Sequence, residues 1–300
     1  MELRMRLSER EHMWQCPEHL ELLHISRPNY SMELLRTRAE AAGEDETEVL
    51  HADSTDSRKK NGIILQLHGG GYYGRLKNVY RDMAGLYHEL SNGFDVLSID
   101  YRVAPDDPFP AALYDALDAY QWILDEGYGT ERLFVAGDSA GGGLALALTM
   151  YLRDQKMALP RGIITMSAWT DLTKSGASYQ ENFDIDPVFG KGQDSLVYQD
   201  GYYGDVDPAH PYISPAMGAY HGFPPMLMQV GEYEMLLSDT LRVSEKAKKA
   251  GVAVREHTYP GMFHVFQMGL LLYPESKEAW QEAGIFIRRL SKQPNRVSNM

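Results

Sequence analysis

A single cysteine, Cys16, stands among 300 residues. No internal disulfide can form, which excludes the cross-linked frameworks of small secreted proteins. Long apolar runs are missing as well. The longest nearly uncharged stretch, GGGLALALTMYL from Gly141 to Leu152, falls well short of the roughly 20 residues that cross a bilayer, and it reads as a buried helix. The start MELRMRLSEREHMW carries charges where a secretory leader needs an apolar core, so a cytoplasmic location is expected. Basic side chains are scarce beside acidic ones, 29 Lys and Arg against 42 Asp and Glu, for a net charge of −13 with histidine neutral. Such a surface repels DNA or RNA at long range, and no nucleic-acid partner is expected. The phosphate-loop pattern G-x-x-x-x-G-K-[ST] is absent too.

A hydrophobic content of 44% is enough for one large core with a small appendage. Short apolar or β-branched runs alternate with longer segments of helical period, the pattern of an α/β protein with a mainly parallel sheet. Strands are predicted at Glu48–Asp53, Gly62–Leu67, Asp95–Asp100, Arg132–Ala136, Gly162–Ser167, Met226–Val230 and Val254–Tyr259. The segments RDMAGLYHELSNG, PAALYDALDAYQWILDEG and SDTLRVSEKAKKAG read as helices, the last capped by Ser238 or Asp239, and a final helix spans about Glu275 to Leu290. Two segments break the alternation. Residues 1–46 read as one or two amphipathic helices, and residues 173–220 form an excursion rich in tyrosine, glycine and proline. A long excursion in a compact α/β domain is more often a lid or binding element than idle loop. The two are expected to form a small, mostly helical cap over the C-terminal edge of a core made of residues 47–172 and 221–300.

Gly137-Asp138-Ser139-Ala140-Gly141 matches G-x-S-x-G between the apolar run RLFVAG and the helical stretch LALALTMYL, the strand-turn-helix setting that exposes a nucleophilic serine. The bland alternative is a glycine-rich turn with an incidental serine. Upstream, His68-Gly69-Gly70-Gly71 follows the predicted strand GIILQL. Successive glycines let backbone N–H groups face a ligand, which is the chemistry of an oxyanion hole. His68 itself reads as structural. A serine needs a base, and His264, in YPGMFHVFQ, follows the last strand on a loop at the same sheet edge. His257 falls within that strand, and His210 and His221 lie in or near the cap. The base needs an acid to hold its tautomer. Glu232, Glu234 and Asp239 lie just after Met226–Val230; the order Ser, acid, His favours Glu234, while Asp239 can serve as a helix cap.

Together HGGGYY, DYRVAPDDPFPAALYDA, GDSAGGGLA, VGEYEMLLSD and YPGMFHVF resemble the bacterial hormone-sensitive-lipase-like branch of the α/β-hydrolases, which contains acetyl esterases and short-chain carboxylesterases. The resemblance runs from about residue 65 to 268. It implies an α/β-hydrolase fold, Ser139 as nucleophile, His264 as base, and Gly70, Gly71 and Ala140 as oxyanion donors. It also implies a homodimer formed through a sheet edge or the last helix. The chain departs from the pattern with Glu234-Met235-Leu236 where many relatives have Asp-Pro-Leu, and with Asp106-Asp107 where Glu-His is common.

The expected activity is therefore hydrolysis of short-chain acyl esters through an acyl-enzyme, without metal or organic cofactor, on a small-molecule ester. Tyr72, Trp169 and Tyr202 are candidate walls of a small acyl pocket, though tyrosines at this density serve equally well as cap core. Rival readings are an esterase of acetylated carbohydrate, an amidase or an acyltransferase of the same fold. A non-catalytic binding protein on this scaffold is a further rival, since fold does not fix function; such proteins usually lose one of the serine, acid and histidine, all present here.

Overall fold

The run Ile63–Leu67, IILQL, is buried at all five positions. A strand without polar alternation needs apolar cover on both faces, which is the environment of a parallel sheet between helical layers. A computed structural model describes residues 13–39, 61–191 and 195–293 of the chain. Its strands are β1 Leu20–Ser26, β2 Ser31–Thr37, β3 Ile63–Leu67, β4 Asp95–Asp100, β5 Leu133–Asp138, β6 Gly162–Met166, β7 Met226–Gly231 and β8 Val254–Tyr259. They form one sheet in the order β1-β2-β4-β3-β5-β6-β7-β8. The β1–β2 and β2–β4 pairs are antiparallel and the remaining pairs are parallel.

The helices of the described residues are α1 Asn78–Leu90, α2 Ala111–Asp125, α3 Ser139–Asp154, α4 Ser178–Glu181, α5 Leu237–Lys249 and α6 Pro274–Ser291. On one face of the sheet Ile63, Leu65 and Leu67 pack with Val135 and Ile163 against Ala116 and Ala119 of α2 and Leu144 and Leu148 of α3. On the other, Ile64, Phe134 and Ile164 meet Tyr80, Met83 and Tyr87 of α1 and Trp280 and Ile287 of α6. Alternate residues of one strand thus feed two separate cores, and each fully buried aliphatic side chain contributes roughly 1.5–3 kcal/mol.

Six of the seven expected strands are present. The seventh, Glu48–Asp53, lies outside the described residues, as do residues 1–12 and 40–46 of the N-terminal segment. The described remainder of that segment corrects the expectation of amphipathic helices. LELLHIS and SMELLRT form the hairpin β1–β2, with Ser26 opposite Ser31, and β2 extends the sheet against β4. The Arg27 N–H closes the turn on the Tyr30 carbonyl at 2.9 Å. The Arg27 guanidinium grips Asp118 of α2 at 2.6 and 2.8 Å, and the Tyr30 hydroxyl donates to the same carboxylate at 2.7 Å. Leu, Glu and Met favour helices in isolation, and pairing with an existing sheet edge overrides that preference.

The excursion 173–220 corrects the expectation of a mostly helical cap. Among its described residues it holds only the short α4 and two 3-10 turns, Leu196–Tyr198 and Pro215–Met217, and is otherwise turns, bends and irregular backbone, as its glycines and prolines break helical runs. Helix α5 begins at Leu237 with Leu236 at its N-cap position, so neither Ser238 nor Asp239 caps it.

Leu65 tests the two-faced core. It is fully buried in β3, and Leu65→Ala is expected to lower the unfolding free energy by about 2–5 kcal/mol. Urea denaturation checks this; a loss below about 1 kcal/mol would mean that the site collapses around the missing side chain.

Candidate active site

The turn from β5 into α3 is dictated by two glycines. A Cβ on Gly141 would overlap the Leu67 carbonyl, and one on Gly137 would overlap the Gly141 carbonyl. With neither present, the helix starts against the strand, and Ser139 takes a left-handed backbone with φ of +50° as its first residue. A non-glycine residue there is strained. The strain lifts the serine above the C-terminal edge of β5.

The structure brings the three expected side chains together. The Ser139 Oγ lies 3.0 Å from His264 Nε2, and His264 Nδ1 lies 3.0 Å from Glu234 Oε2. A carboxylate can only accept from the ring, so Nδ1 carries the proton and Nε2 is left to accept from the serine hydroxyl. All three residues are buried. Glu234 is supported further: its Oε1 accepts from the Ser167 hydroxyl at 2.7 Å and from the Gly231 N–H.

Asp239 is turned elsewhere. Its Oδ2 accepts from the N–H groups of Thr170 and Asp171, both at 2.7 Å, which pins the loop after β6. Burial pushes its carboxyl up to about 8. His257 faces Glu282 at 3.4 Å, and His210 packs against Phe109 and Tyr212.

The glycine loop lies against the serine. A Cβ on Gly69 would stand 3.1 Å from that of Ser139 and would overlap the Asp138 carboxylate. Gly70 and Gly71 have φ of +111° and +64°. The N–H groups of Gly70, Gly71 and Ala140 take no part in the hydrogen bonds found among the described residues; that of Ala140 belongs to the first turn of α3, where backbone donors lack helical acceptors. His68 stacks on Tyr101 at 4.0 Å, with its Nδ1 2.7 Å from the Gly69 carbonyl. Burial pushes its imidazole down to about 4, so it stays neutral and holds the loop in shape.

The three expected wall residues also meet. Tyr72 and Tyr202 stack at 3.6 Å, Tyr72 lies 6.2 Å from Trp169, and the Trp169 N–H donates to the Ser139 carbonyl at 2.8 Å. From the excursion, Phe189 covers the His264 ring at 4.4 Å.

Residues 64–268 match a family described as the alpha/beta hydrolase fold. The chain belongs to that family. Over 232 residues this alpha/beta hydrolase is 37% identical to an acetyl-hydrolase of Streptomyces hygroscopicus, covering 77% of each chain. Among solved structures it is similar to an esterase from the bacterial hormone-sensitive lipase family, with TM-score 0.79 and 31% identity over 93% of this chain and 87% of that one. It is similar also to EstE5, in crystals soaked with p-nitrophenyl butyrate, with TM-score 0.81 and 32% identity over 97% of this chain and 91% of that one. The fold and the family resemblance expected from the motifs are borne out.

Sequence reasoning missed several residues that shape the site of this hydrolase. Asp138 sits inside the serine motif, yet nothing in the motif reveals that its carboxylate accepts from the Gly69 N–H and the Tyr80 hydroxyl, both at 3.1 Å. Burial pushes it up to about 7. Asn182 and Asp186 of the excursion bond the turn that carries Glu234, through the Glu234 carbonyl at 2.7 Å and the Met235 N–H at 2.8 Å.

Asp239 gives a stability test with a defined sign. Its folded-state value of about 8 lies above that of an unfolded carboxylate. Between about pH 4 and pH 8 this group therefore binds more of a proton in the native state than in the unfolded chain, and its contribution to stability falls as pH rises. In Asp239→Asn the unfolding free energy should decline less steeply over that window than in the wild type. Equal slopes in urea titrations would show the carboxylate to be ionised in the fold.

Proposed function

We propose that the chain is a serine carboxylesterase that hydrolyses short-chain acyl esters through an acyl-enzyme. The observation that carries the reading is the hydrogen-bonded series Ser139, His264, Glu234, with 3.0 Å at each step. A serine is a weak nucleophile unless a base removes its proton as it attacks. His264 Nε2 is placed to take that proton, and Glu234 stabilises the imidazolium that results.

The Ser139 Oγ attacks the ester carbonyl, whose oxygen becomes an oxyanion. The N–H groups of Gly70, Gly71 and Ala140 donate to it, and the start of α3 adds the positive end of its dipole. His264 returns the proton to the departing alcohol, then takes one from water, which attacks the acyl-serine. The last collapse frees the acid and restores Ser139.

Preference for a small acyl group follows from packing. Tyr72, which directly follows the glycine loop, stacks on Tyr202 and lies 6.2 Å from Trp169, and all three rings are buried. Closely packed aromatic rings leave little room for a long chain. The similarity to a Streptomyces acetyl-hydrolase agrees with this preference. The excursion, which sets Phe189 on His264, serves as the cap.

Turnover of p-nitrophenyl esters from acetate to palmitate tests the reading. Acetate or butyrate should be the best substrate. Ser139→Ala should lower kcat roughly 10⁴- to 10⁶-fold, and Glu234→Gln roughly 10³- to 10⁴-fold. An inert wild type, or a Ser139→Ala variant as active as the wild type, would remove the catalytic reading. Palmitate as the best substrate would remove the small pocket alone. Tyr202→Ala should shift the optimum toward longer acyl chains, and an unchanged chain-length profile would assign Tyr202 to the cap core.

A further inference from the structure

Ser167 is the residue on which the acid and base elements converge. It follows the last residue of β6, is fully buried, and holds a left-handed backbone with φ of +51°. Its own N–H donates to the Gln229 carbonyl of β7 at 2.7 Å, which fixes where the side chain points. The hydroxyl then makes two bonds. It donates to Glu234 Oε1 at 2.7 Å, and it accepts from the Val265 N–H at 3.0 Å.

Val265 directly follows His264 and is itself left-handed, with φ of 50° and ψ of 43°. A β-branched residue adopts that conformation only where its surroundings enforce it. One oxygen atom thus ties the carboxylate to the strained turn that carries the imidazole. Glutamate has three side-chain torsions, and a hydrogen bond to one carboxylate oxygen would leave the group free to swing. With Ser167 and Gly231 both donating to Oε1, Oε2 remains aimed at His264 Nδ1.

We infer that Ser167 is a positioning residue of the hydrolytic site, setting the Glu234 carboxylate and the His264 turn in one geometry through its hydroxyl. The inference rests on the triad reading proposed above. Ser167 acts through Glu234 and the His264 turn and touches no reacting atom, so its contribution should appear in turnover and not in substrate binding. The part that runs through the carboxylate should be lost once Glu234 is replaced, while the part that runs through the Val265 N–H remains.

The test is steady-state hydrolysis of p-nitrophenyl butyrate by the wild type, Ser167→Ala, Glu234→Gln, the double variant Ser167→Ala/Glu234→Gln, and Ser139→Ala. Ser167→Ala should lower kcat roughly 10- to 100-fold with KM within about threefold of the wild type. The double variant should be slower than Glu234→Gln by clearly less than the factor that Ser167→Ala costs alone, because the two residues act in part as one unit. A purely structural role would instead lower activity by the same factor in both backgrounds.

Wild-type kcat in Ser167→Ala, or full multiplication of the two losses, would overturn the inference while leaving the triad reading intact. Unimpaired turnover in Ser139→Ala or Glu234→Gln would overturn the triad reading, and the role of Ser167 with it. Should Ser167→Ala fail to fold, judged by circular dichroism, Ser167→Cys keeps the volume with a weaker donor. It should then show a smaller kcat loss that again shrinks in the Glu234→Gln background, and a multiplicative loss would overturn the inference.

Discussion

Helix α3 can begin at Ser139 only because β5 and the helix approach within backbone contact, and that approach depends on the missing Cβ atoms of Gly137 and Gly141. The rest of the site is arranged around this crossing. The apolar residues of α3 bury almost completely against the sheet, from Leu144 to Leu152. The cost of a left-handed serine, on the order of 1–3 kcal/mol, is therefore offset by a helix that cannot move without losing its core. Left-handed residues recur at Tyr72, Ser167 and Val265. They mark the ends of separate elements turned inward on one spot. Each is held by hydrogen bonds or packing that crosses between elements, so the strain is distributed over several contacts.

Glu234, Asp138 and Asp239 are buried carboxyl groups near that spot, and each is used differently. Glu234 faces the histidine and receives two further donors. Asp138 anchors the glycine loop through the Gly69 N–H, and burial pushes it up to about 7. Asp239 pins the loop after β6 at Thr170 and Asp171, and burial pushes it up to about 8. A carboxylate removed from water is unfavourable unless donors or cations compensate for the lost hydration. The backbone N–H groups offset only part of that penalty for Asp138 and Asp239, so both bind a proton more readily than an exposed carboxyl does. Neither bonds the imidazole, which leaves Glu234 as its carboxylate partner.

Local pattern carried the strands β3 to β8, the serine turn and the glycine loop, because each is written within a few adjacent residues. His264 and Glu234 followed from chain order, since successive strands of a parallel sheet deliver their following loops to one edge. The hairpin β1–β2 was misread because LELLHIS and SMELLRT are built from good helix formers, and the turn residues Arg27-Pro28-Asn29-Tyr30 were the stronger signal. Asp239 looked like a cap because it begins a helical stretch, yet its partners lie 69 and 68 residues away. Ser167, likewise 67 residues from Glu234, belongs to no spacing rule. Side chains whose partners are set by the packing of distant loops leave no periodic trace in the chain.

The excursion and the acid turn are one mechanical unit, with a consequence for how substrate reaches the serine. Asn182 bonds the carbonyls of Glu232 and Glu234, at 3.0 and 2.7 Å, and Asp186 accepts from the Met235, Val188 and Phe189 N–H groups at 2.8, 2.7 and 3.0 Å. The segment that sets Phe189 on His264 is thus bolted to the backbone of the residue that orients His264. A wholesale opening of this part of the excursion would disturb the acid turn as well, so its inner end is better suited to act as a fixed wall. Tyr202 is likewise fixed, because its carbonyl accepts from the Phe109 N–H at 2.6 Å and its ring stacks on Tyr72. Under the proposed esterase reading, such fixed walls favour substrates that fit as they arrive, small acyl groups among them.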